Sequence, residues 1–238
     1  MMSTIELGDI EVNVIRKDIK NVHLSVYPPN GAVRMSAPKH MKLDTLRVFA
    51  ISKLEWIKQE RRKLREQERE APREFLDRES HFVWGERRLL KIEEADAPAQ
   101  ATVRGKQLFL QVRPGTDDER RQAIIAKWYR DQVRQAAPAL IAKWERKIGV
   151  QVSRVFVQKM KTRWGSCNPQ SRNIRLNSEL AKKPPGCLEY IVVHELVHLL
   201  EPTHSARFQR LMDQFMPHWR SWRDELNRAP LAHEQWTY

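Results

Sequence analysis

The sequence predicts a mixed α and β fold, in which a β-rich N-terminal part precedes a largely helical C-terminal part. Apolar and polar residues alternate over residues 22–35 and again over 81–113, which is the pattern of half-buried strands. Residues 43–69 and the stretch that follows Asp117 carry apolar residues at helical spacing instead. Because strand patterns dominate the start of the chain and helical patterns its end, the two kinds of structure are expected to be largely segregated.

The N-terminal part is predicted to start with strands on both sides of the turn sequence Pro-Pro-Asn-Gly at 28–31. One long helix is predicted next, from Leu43 to Arg69, with the Ala71-Pro72 step ending it. After the short strands of 81–113, a second helix should begin at Asp117, whose carboxylate is a suitable N-cap. No internal repeat is visible along these segments.

The C-terminal part is predicted to continue this second helix, which Pro138 should kink or divide. Strands are predicted at 152–158 and 173–178. Helices are then predicted at 186–200 and 205–215, and a last helical segment after Pro217 completes the chain.

Composition limits the class of protein. The 238 residues are 41% hydrophobic, enough for one full core or for a core with a smaller layer. No apolar run approaches the roughly 20 residues that cross a bilayer, and the N-terminus lacks the apolar core of a signal peptide. We therefore expect a cytoplasmic protein with no membrane partner. Cys167 and Cys187 are too few for a disulfide framework and are expected to be free thiols.

The net charge of +13 is concentrated in one stretch, residues 154–183. There, eight cations stand against Glu179 alone, so the stretch carries 8 − 1 = +7. The charge either solvates the surface or attracts an anionic partner, which would be nucleic acid, a nucleotide or an acidic polypeptide. The cations are Arg154, Lys159, Lys161, Arg163, Arg172, Arg175, Lys182 and Lys183.

The most informative segment is His-Glu-Leu-Val-His at 194–198. On a helix, His194 and His198 project from the same face about one turn apart, and their nitrogens can bind one Zn²⁺ at roughly 2.0–2.1 Å each. Glu195 would lie beside the metal without binding it, where a carboxylate can act as general base. The segment predicts a catalytic zinc site. The alternative is a pair of helical histidines packed in a core.

A catalytic zinc ion needs three protein ligands and one open position. His204 is the predicted third ligand, because Pro202 should end the helix and let the chain turn back. Glu201 is the main alternative ligand. The candidate carboxylate partners for a ligand imidazole are Glu189, Glu201 and Glu225, and Glu201 is favoured because it is closest in sequence. Cys167 is an alternative fourth ligand that would close the site. The spacing from His198 to His204 equals that of the metzincin pattern, but Glu201 replaces the glycine of that pattern, so no metzincin is assigned.

A second unusual segment is the Trp-Gly-Ser turn at 164–166, which leads into the predicted strand 173–178. In zinc peptidases with this motif, the strand before the active-site helix commonly forms the rim of the cleft, where its free edge can pair with an extended substrate. Arg163, Trp164 and Asn177 are therefore the predicted substrate-binding residues. The alternative is an ordinary hairpin in which Trp164 fills a gap in the core.

Four segments, taken in order and spacing, resemble the YgjP-like metallopeptidase family: 160–167, 174–177, 190–199 and 204–208. The resemblance is strong over about residues 150–216 and looser upstream. It implies an α+β, zincin-like catalytic domain over 117–238 and an N-terminal hairpin, helix and β part over 1–116. It further implies zinc at His194, His198 and His204, with Glu195 as the catalytic residue.

Three functions are compatible with these observations. The first is a zinc metallopeptidase that acts on a polypeptide. The second is a metal-dependent hydrolase of nucleotide phosphoanhydrides or another non-peptide bond, because the same activated water serves that chemistry. The third is a nucleic-acid-associated protein with structural zinc. Glu195 and a three-histidine site disfavour the third, since structural zinc usually has four protein ligands.

Overall fold

The computed structural model describes residues 2–27, 31–66, 77–160 and 163–228. Strands and helices are both present, which confirms the predicted α+β class. Residues 28–30 of the predicted turn and the Ala71-Pro72 step lie outside the described residues. The chain divides into two compact units, of which the first comprises Met1–Pro72 with Pro230–Tyr238 and the second comprises Arg73–Ala229. The boundary between residues 116 and 117 stays a prediction.

The first unit is a four-stranded sheet with two helices. Its elements are β1 (Met2–Leu7), β2 (Ile10–Lys17), β3 (His23–Tyr27), β4 (Ala32–Pro38), α1 (Leu43–Ser52) and α2 (Leu54–Glu66). The strand order is β1-β2-β4-β3, with β2 and β4 parallel and the outer pairs antiparallel. Alternate residues of the two central strands, such as Val14 and Met35, are fully buried.

Two helices replace the single one predicted over 43–69. Lys53 separates them, with φ −106° and ψ 6°, and its N–H donates to the carbonyl of Ala50. Leu46, Ala50 and Ile57 are all buried in the same core, so the apolar pattern runs on across the break. A pattern of burial alone therefore does not reveal where the helix stops.

The second unit begins with a sheet of the same topology as the first. Its strands are β5 (Ser80–Val83), β6 (Glu86–Glu94), β7 (Gln100–Arg104) and β8 (Gln107–Val112). In both sheets two hairpins are joined by a parallel pairing of their second strands, and a helix follows the fourth strand. The chain thus contains a structural repeat, although none was visible in the sequence. Corresponding core positions such as Val14 and Leu90 share only an apolar side chain.

The long helix α3 (Asp118–Ile148) packs against β7 and β8. Asp117 caps it as predicted, since its side chain accepts a hydrogen bond from the N–H of Arg120 at 2.8 Å. The helix continues through Pro138, so the predicted division there was wrong. Both α3 and the preceding sheet contribute to one hydrophobic cluster, which is why the second unit starts before β5.

The other described residues of the second unit form a three-stranded sheet, a short 3-10 helix and three α-helices. These elements are β9 (Arg154–Gln158), β10 (Gly165–Asn168), β11 (Asn173–Asn177), a 3-10 helix (Ser178–Lys182), α4 (Pro185–Val197), α5 (Ala206–Phe215) and α6 (Trp219–Arg228). The strand order is β10-β11-β9, so β10 is an edge strand. A turn was predicted at Trp-Gly-Ser 164–166, but β10 begins within this segment, at Gly165. Helix α4 is largely buried and packs against α3, α5, α6 and β10. None of the described helices is both long and apolar enough to cross a membrane.

Candidate metal centre

The end of α4 and the turn after it bring the three predicted metal ligands together. His194 and Glu195 lie in the last turn of α4, and His198 is its C-cap. The helix ends at Val197 and not at Leu200 as predicted, because residues 198–200 form tighter turns before Pro202 is reached. The chain then turns back, and His204 precedes Ser205, whose side chain caps α5.

The Nε2 atoms of the three histidines converge. His194 Nε2 lies 3.2 Å from His198 Nε2 and 3.0 Å from His204 Nε2. Two nitrogens bound to one tetrahedral zinc at roughly 2.0–2.1 Å are about 3.3 Å apart, so these spacings suit a shared ion. Within the described part of the chain, these three histidines form the group of His, Cys, Asp or Glu side chains that could hold a metal.

A backbone carbonyl orients His198. Its Nδ1 lies 3.1 Å from the carbonyl oxygen of Glu201, which fixes the Nδ1–H tautomer and leaves Nε2 for a metal. The Glu201 carboxylate instead accepts from the hydroxyl of Thr203 at 2.7 Å. The predicted carboxylate partner was therefore wrong, because His198 bonds to the backbone of Glu201 and not to its side chain.

Burial and mutual proximity keep the imidazoles of His194 and His198 neutral. Burial, together with the neighbouring His198 and His204, lowers the pKa of His194 to about 3. Burial also lowers the pKa of His198, although the Glu201 carbonyl opposes this effect. His194 Nδ1 is buried and has no hydrogen-bond partner among the described residues. Neutral, convergent imidazoles are the form that binds zinc, so the residues fit this metal.

Phe208 forms an apolar support for the triad. Its ring centroid lies 4.9 Å from that of His194, 4.6 Å from that of His198 and 4.9 Å from that of His204. The residue is only 2% exposed. A rigid ring in contact with all three imidazoles restricts their rotation. No role was predicted for Phe208 from the sequence. Its position three residues after Ser205, the residue that caps α5, could have indicated that it lies in the first turn of this helix, close to His204.

Glu195 is buried between α4 and β10. It is 4% exposed, and burial raises its pKa to about 8, while the Arg163 guanidinium opposes the shift. A Cβ atom at Gly165 would lie 2.5 Å from Glu195 Oε1 and 2.8 Å from Ile191 Cγ2. The absence of a side chain at Gly165 thus leaves the space that the carboxylate occupies, which sequence reasoning had not recognised.

The site opens into a cleft of about 550 Å³. One wall is the start of the sheet, with Arg163 and Trp164 leading into β10, and another is formed by Tyr190 and Arg223. Arg163 and Trp164, which were predicted to bind substrate, therefore both line the cleft. Arg223 could not be anticipated, because α6 reaches the cleft only through its packing on α4.

Asn177 is not among the described residues that line this cleft, and its role in substrate binding stays a prediction. It is 4% exposed, and its Nδ2 donates to the carbonyls of Met160 and Arg163 at 2.9 and 2.8 Å. Its Oδ1 accepts from the N–H groups of Met160 and Glu179 at 3.3 and 3.1 Å. With its amide fully used inside the protein, Asn177 positions the segment that carries Arg163 and Trp164.

Both cysteines are free, as predicted. Cys167 lines the cleft, where burial and the nearby Glu195 raise its pKa to about 11. It is not part of the histidine group that could hold a metal. Cys167 is therefore a protonated thiol at neutral pH and not an activated nucleophile.

The basic stretch 154–183 is not one continuous surface. Lys182 Nζ bonds to Glu179 at 2.5 Å, with both side chains largely buried. Lys183 is 5% exposed and lies over the ring of Trp164. Arg154, Arg172 and Arg175, in contrast, are exposed. Lys161 lies outside the described residues.

Comparison with known proteins places this site in a family. The model of the YgjP-like metallopeptidase domain matches residues 20–229, which is most of the chain. The chain belongs to the YgjP-like metallopeptidase family. Its fold is accordingly α+β and zincin-like, and the family supports a metal-dependent peptidase. No functionally curated protein matches the sequence.

Two solved structures show distant likeness. The metallopeptidase zymogen of Pyrococcus abyssi abylysin is 22% identical with a TM-score of 0.35, and the match covers 37% of this chain and 89% of that one. The metallopeptidase zymogen of Methanocaldococcus jannaschii jannalysin is 17% identical with a TM-score of 0.34, covering 37% and 84%. These likenesses are too remote to transfer an activity or a substrate.

Proposed function

We propose that this chain is a zinc-dependent peptidase that hydrolyses polypeptides, with Glu195 as general base. The observation that supports this most strongly is the convergence of three imidazoles beside a buried carboxylate. Three histidines leave one coordination position open, which a catalytic zinc site requires. A purely structural zinc would usually have a fourth protein ligand, and the described residues place none in this group.

His194, His198 and His204 would hold the zinc ion. When bound there, zinc supplies a Lewis acid that polarises the scissile carbonyl and acidifies the attacking water. Glu195 takes the proton of that water and later passes it to the leaving amine. Burial favours the protonated carboxyl, as its pKa of about 8 shows, and a neighbouring cation would lower this value again. The side chain is thus able both to accept and to return a proton near neutral pH.

The proposed polypeptide lies along β10. Among the described residues this strand pairs with β11 alone, so its other edge can hydrogen-bond an extended backbone. Arg163 and Trp164, just before β10, lie in the cleft and would contact the bound chain. Because both cysteines are free thiols, we also propose a cytoplasmic location, where thiols stay reduced.

A second candidate function is hydrolysis of a nucleotide phosphoanhydride. The observation that favours it is the presence of two guanidinium groups, of Arg163 and Arg223, in the cleft. Arginine binds phosphate oxygens in a bidentate manner, and the same general base would activate water for attack on phosphorus. Arg223 also bonds to the carboxylate of Asp224, which offsets part of its charge.

One experiment separates the two candidates. Zinc-loaded protein is incubated in parallel with an unfolded protein, such as reduced and alkylated casein, and with the nucleoside triphosphates. Glu195→Gln is the control, because it preserves shape and removes the base. We expect peptide cleavage that falls about 10²–10⁴-fold in Glu195→Gln while the zinc content stays near one equivalent. Triphosphate hydrolysis with the same dependence on Glu195, and no peptide cleavage, would overturn the peptidase proposal in favour of the second candidate.

A further inference from the structure

The three-stranded sheet has an outer face with cations and an exposed aromatic ring. Val157, Ile174 and Leu176 point to the core and are buried. Because side chains alternate along a strand, Arg154 and Phe156 of β9 and Arg175 of β11 point the opposite way. Both arginines are exposed, and Phe156 is 40% exposed, so part of its ring is accessible to a partner.

The arginine and the ring form a pair on this face. Phe156 and Arg175 are register neighbours in the parallel pairing of β9 with β11. Arg175 Cζ lies 5.6 Å from the centroid of the Phe156 ring. Within the described part of the chain, neither Arg154 nor Arg175 forms an ion pair with a carboxylate, so their charge is available to a partner.

The segment that forms this face contains no acid. Residues 146–178 include eight lysines and arginines and no Asp or Glu. A face meant only for solvation usually mixes both signs of charge, as the sequence of α2 does. The rest of the predicted basic stretch behaves differently, because Lys182 and Lys183 are largely buried against Glu179 and Trp164.

We propose that this face, consisting of Arg154, Phe156 and Arg175, binds single-stranded nucleic acid. Unpaired guanidinium groups attract phosphates, and an exposed ring offers a surface on which an unpaired base can stack. A duplex keeps its bases stacked inside and would use only the charges. An acidic polypeptide would likewise gain nothing from the ring. The aromatic side chain among unpaired cations is therefore the feature that favours single strands.

The test measures fluorescence anisotropy of a labelled 20-nucleotide oligothymidine with the full-length protein over a series of salt concentrations. Phe156→Ala should weaken binding at least about fivefold and leave the salt dependence unchanged, because it removes stacking and no charge. Arg175→Gln should also weaken binding, but it should reduce the slope of log K against log salt by about 0.7, the share of one phosphate contact on a single strand. The same oligomer as a duplex should bind more weakly.

A matched control exists on the other sheet of the same unit. Arg104 Cζ lies 4.9 Å from the ring centroid of Phe109, so it forms a similar pair, and Arg104→Gln and Phe109→Ala should leave binding unchanged. Circular dichroism establishes that each variant is folded. Absence of binding by the wild type, equal effects of the control pair, or undiminished binding by Phe156→Ala would each overturn the proposal. Equal competition by polyglutamate would show that the face binds polyanions in general and would overturn it too.

Discussion

Gly165 shows how one missing side chain shapes this site. It lies at the start of β10, opposite Leu176 of β11, where its backbone passes directly over α4. Its φ is not in the left-handed region, so the need for glycine here is steric and not conformational. The residue is required because Glu195 Oε1 and Ile191 Cγ2 occupy the space of a Cβ atom.

Gly165→Ala should therefore lower activity far more than zinc binding. The added methyl group displaces Glu195, and a shift of about 1 Å in a catalytic group can cost on the order of 10²-fold in rate. The three atoms nearest to the added Cβ belong to Glu195 and Ile191 and to none of the histidines, so the zinc content should stay near that of the wild type. Peptidase rate and zinc content measured on the same sample check this.

Gly186→Ala is the matched control, because its Cβ would meet the ring of Trp222 at 2.4 Å, between α4 and α6. It should reduce the free energy of unfolding by about 1–3 kcal/mol through overpacking. The molecules that remain folded should hydrolyse peptides at the wild-type rate. Equal losses of rate in the two variants would show that Gly165 matters for packing alone.

The orientation of His198 yields a second residue-scale prediction. Since the backbone carbonyl of Glu201 is its partner, Glu201→Gln should change zinc affinity by less than about threefold. A carboxylate partner would instead make this change cost roughly 10–100-fold. Competition with a chromophoric chelator measures the affinity. His198→Ala, which removes a ligand, should lose zinc altogether and serves as the positive control.

At the scale of elements, the 3-10 helix before α4 is stabilised by a buried ion pair. Burial raises the pKa of Glu179, but the Lys182 ammonium outweighs this effect and holds the pKa below its usual value. The pair therefore contributes stability above the unfolded pKa of Glu, roughly 4.3, and loses it as the pH falls through the lowered folded value.

Lys182→Met should destabilise the protein by roughly 1–3 kcal/mol at pH 7, because it removes the ammonium that bonds to the buried Glu179 carboxylate and leaves only the weaker attraction of Lys159 and Lys183. The loss should shrink at pH 4.5, where the carboxyl becomes protonated in the variant. Urea unfolding of the wild type and the variant at the two pH values measures this loss of unfolding free energy.

Lys143→Met is the comparison, since its partner Glu189 keeps a hydrogen bond from Trp144 Nε1 at 2.8 Å and both side chains are more exposed. At pH 7, Lys143→Met should lower the free energy of unfolding clearly less than Lys182→Met does. If the Lys182→Met loss is the same at both pH values, its origin is packing and not charge.

The elements also show which features a sequence can predict. The caps Asp117 and Ser205 and the spacing of His194, His198 and His204 depend on residues close together in the chain, and local geometry fixes them. The break at Lys53 and the early end of α4 at Val197 were missed, because the apolar pattern continues past both. Contacts such as Gly165 with Glu195 and α6 with α4 join residues distant in sequence, so only the packed fold reveals them.

At the scale of the whole molecule, the two units have separate hydrophobic clusters with no residue in common. Every candidate ligand, Glu195 and the cleft belong to the second unit, Arg73–Ala229. The first unit buries its own core, from Ile5 to Ile57, and contains none of these residues. The described residues of the site therefore all lie in one compact body of the chain.

A fragment of residues 73–229 should accordingly fold alone and bind one zinc ion. Metal that binds only the folded state adds about 2.7 kcal/mol at a free concentration of 100 times Kd, which corresponds to a rise in Tm of about 5–10 °C for a domain of this size. Melting curves of the metal-free and zinc-loaded fragment measure the shift. The His198→Ala fragment should show none, because with a ligand missing the folded state gains little from zinc. A wild-type fragment that is unfolded, or that folds and does not respond to zinc, would show that the first unit is required to complete the metal centre.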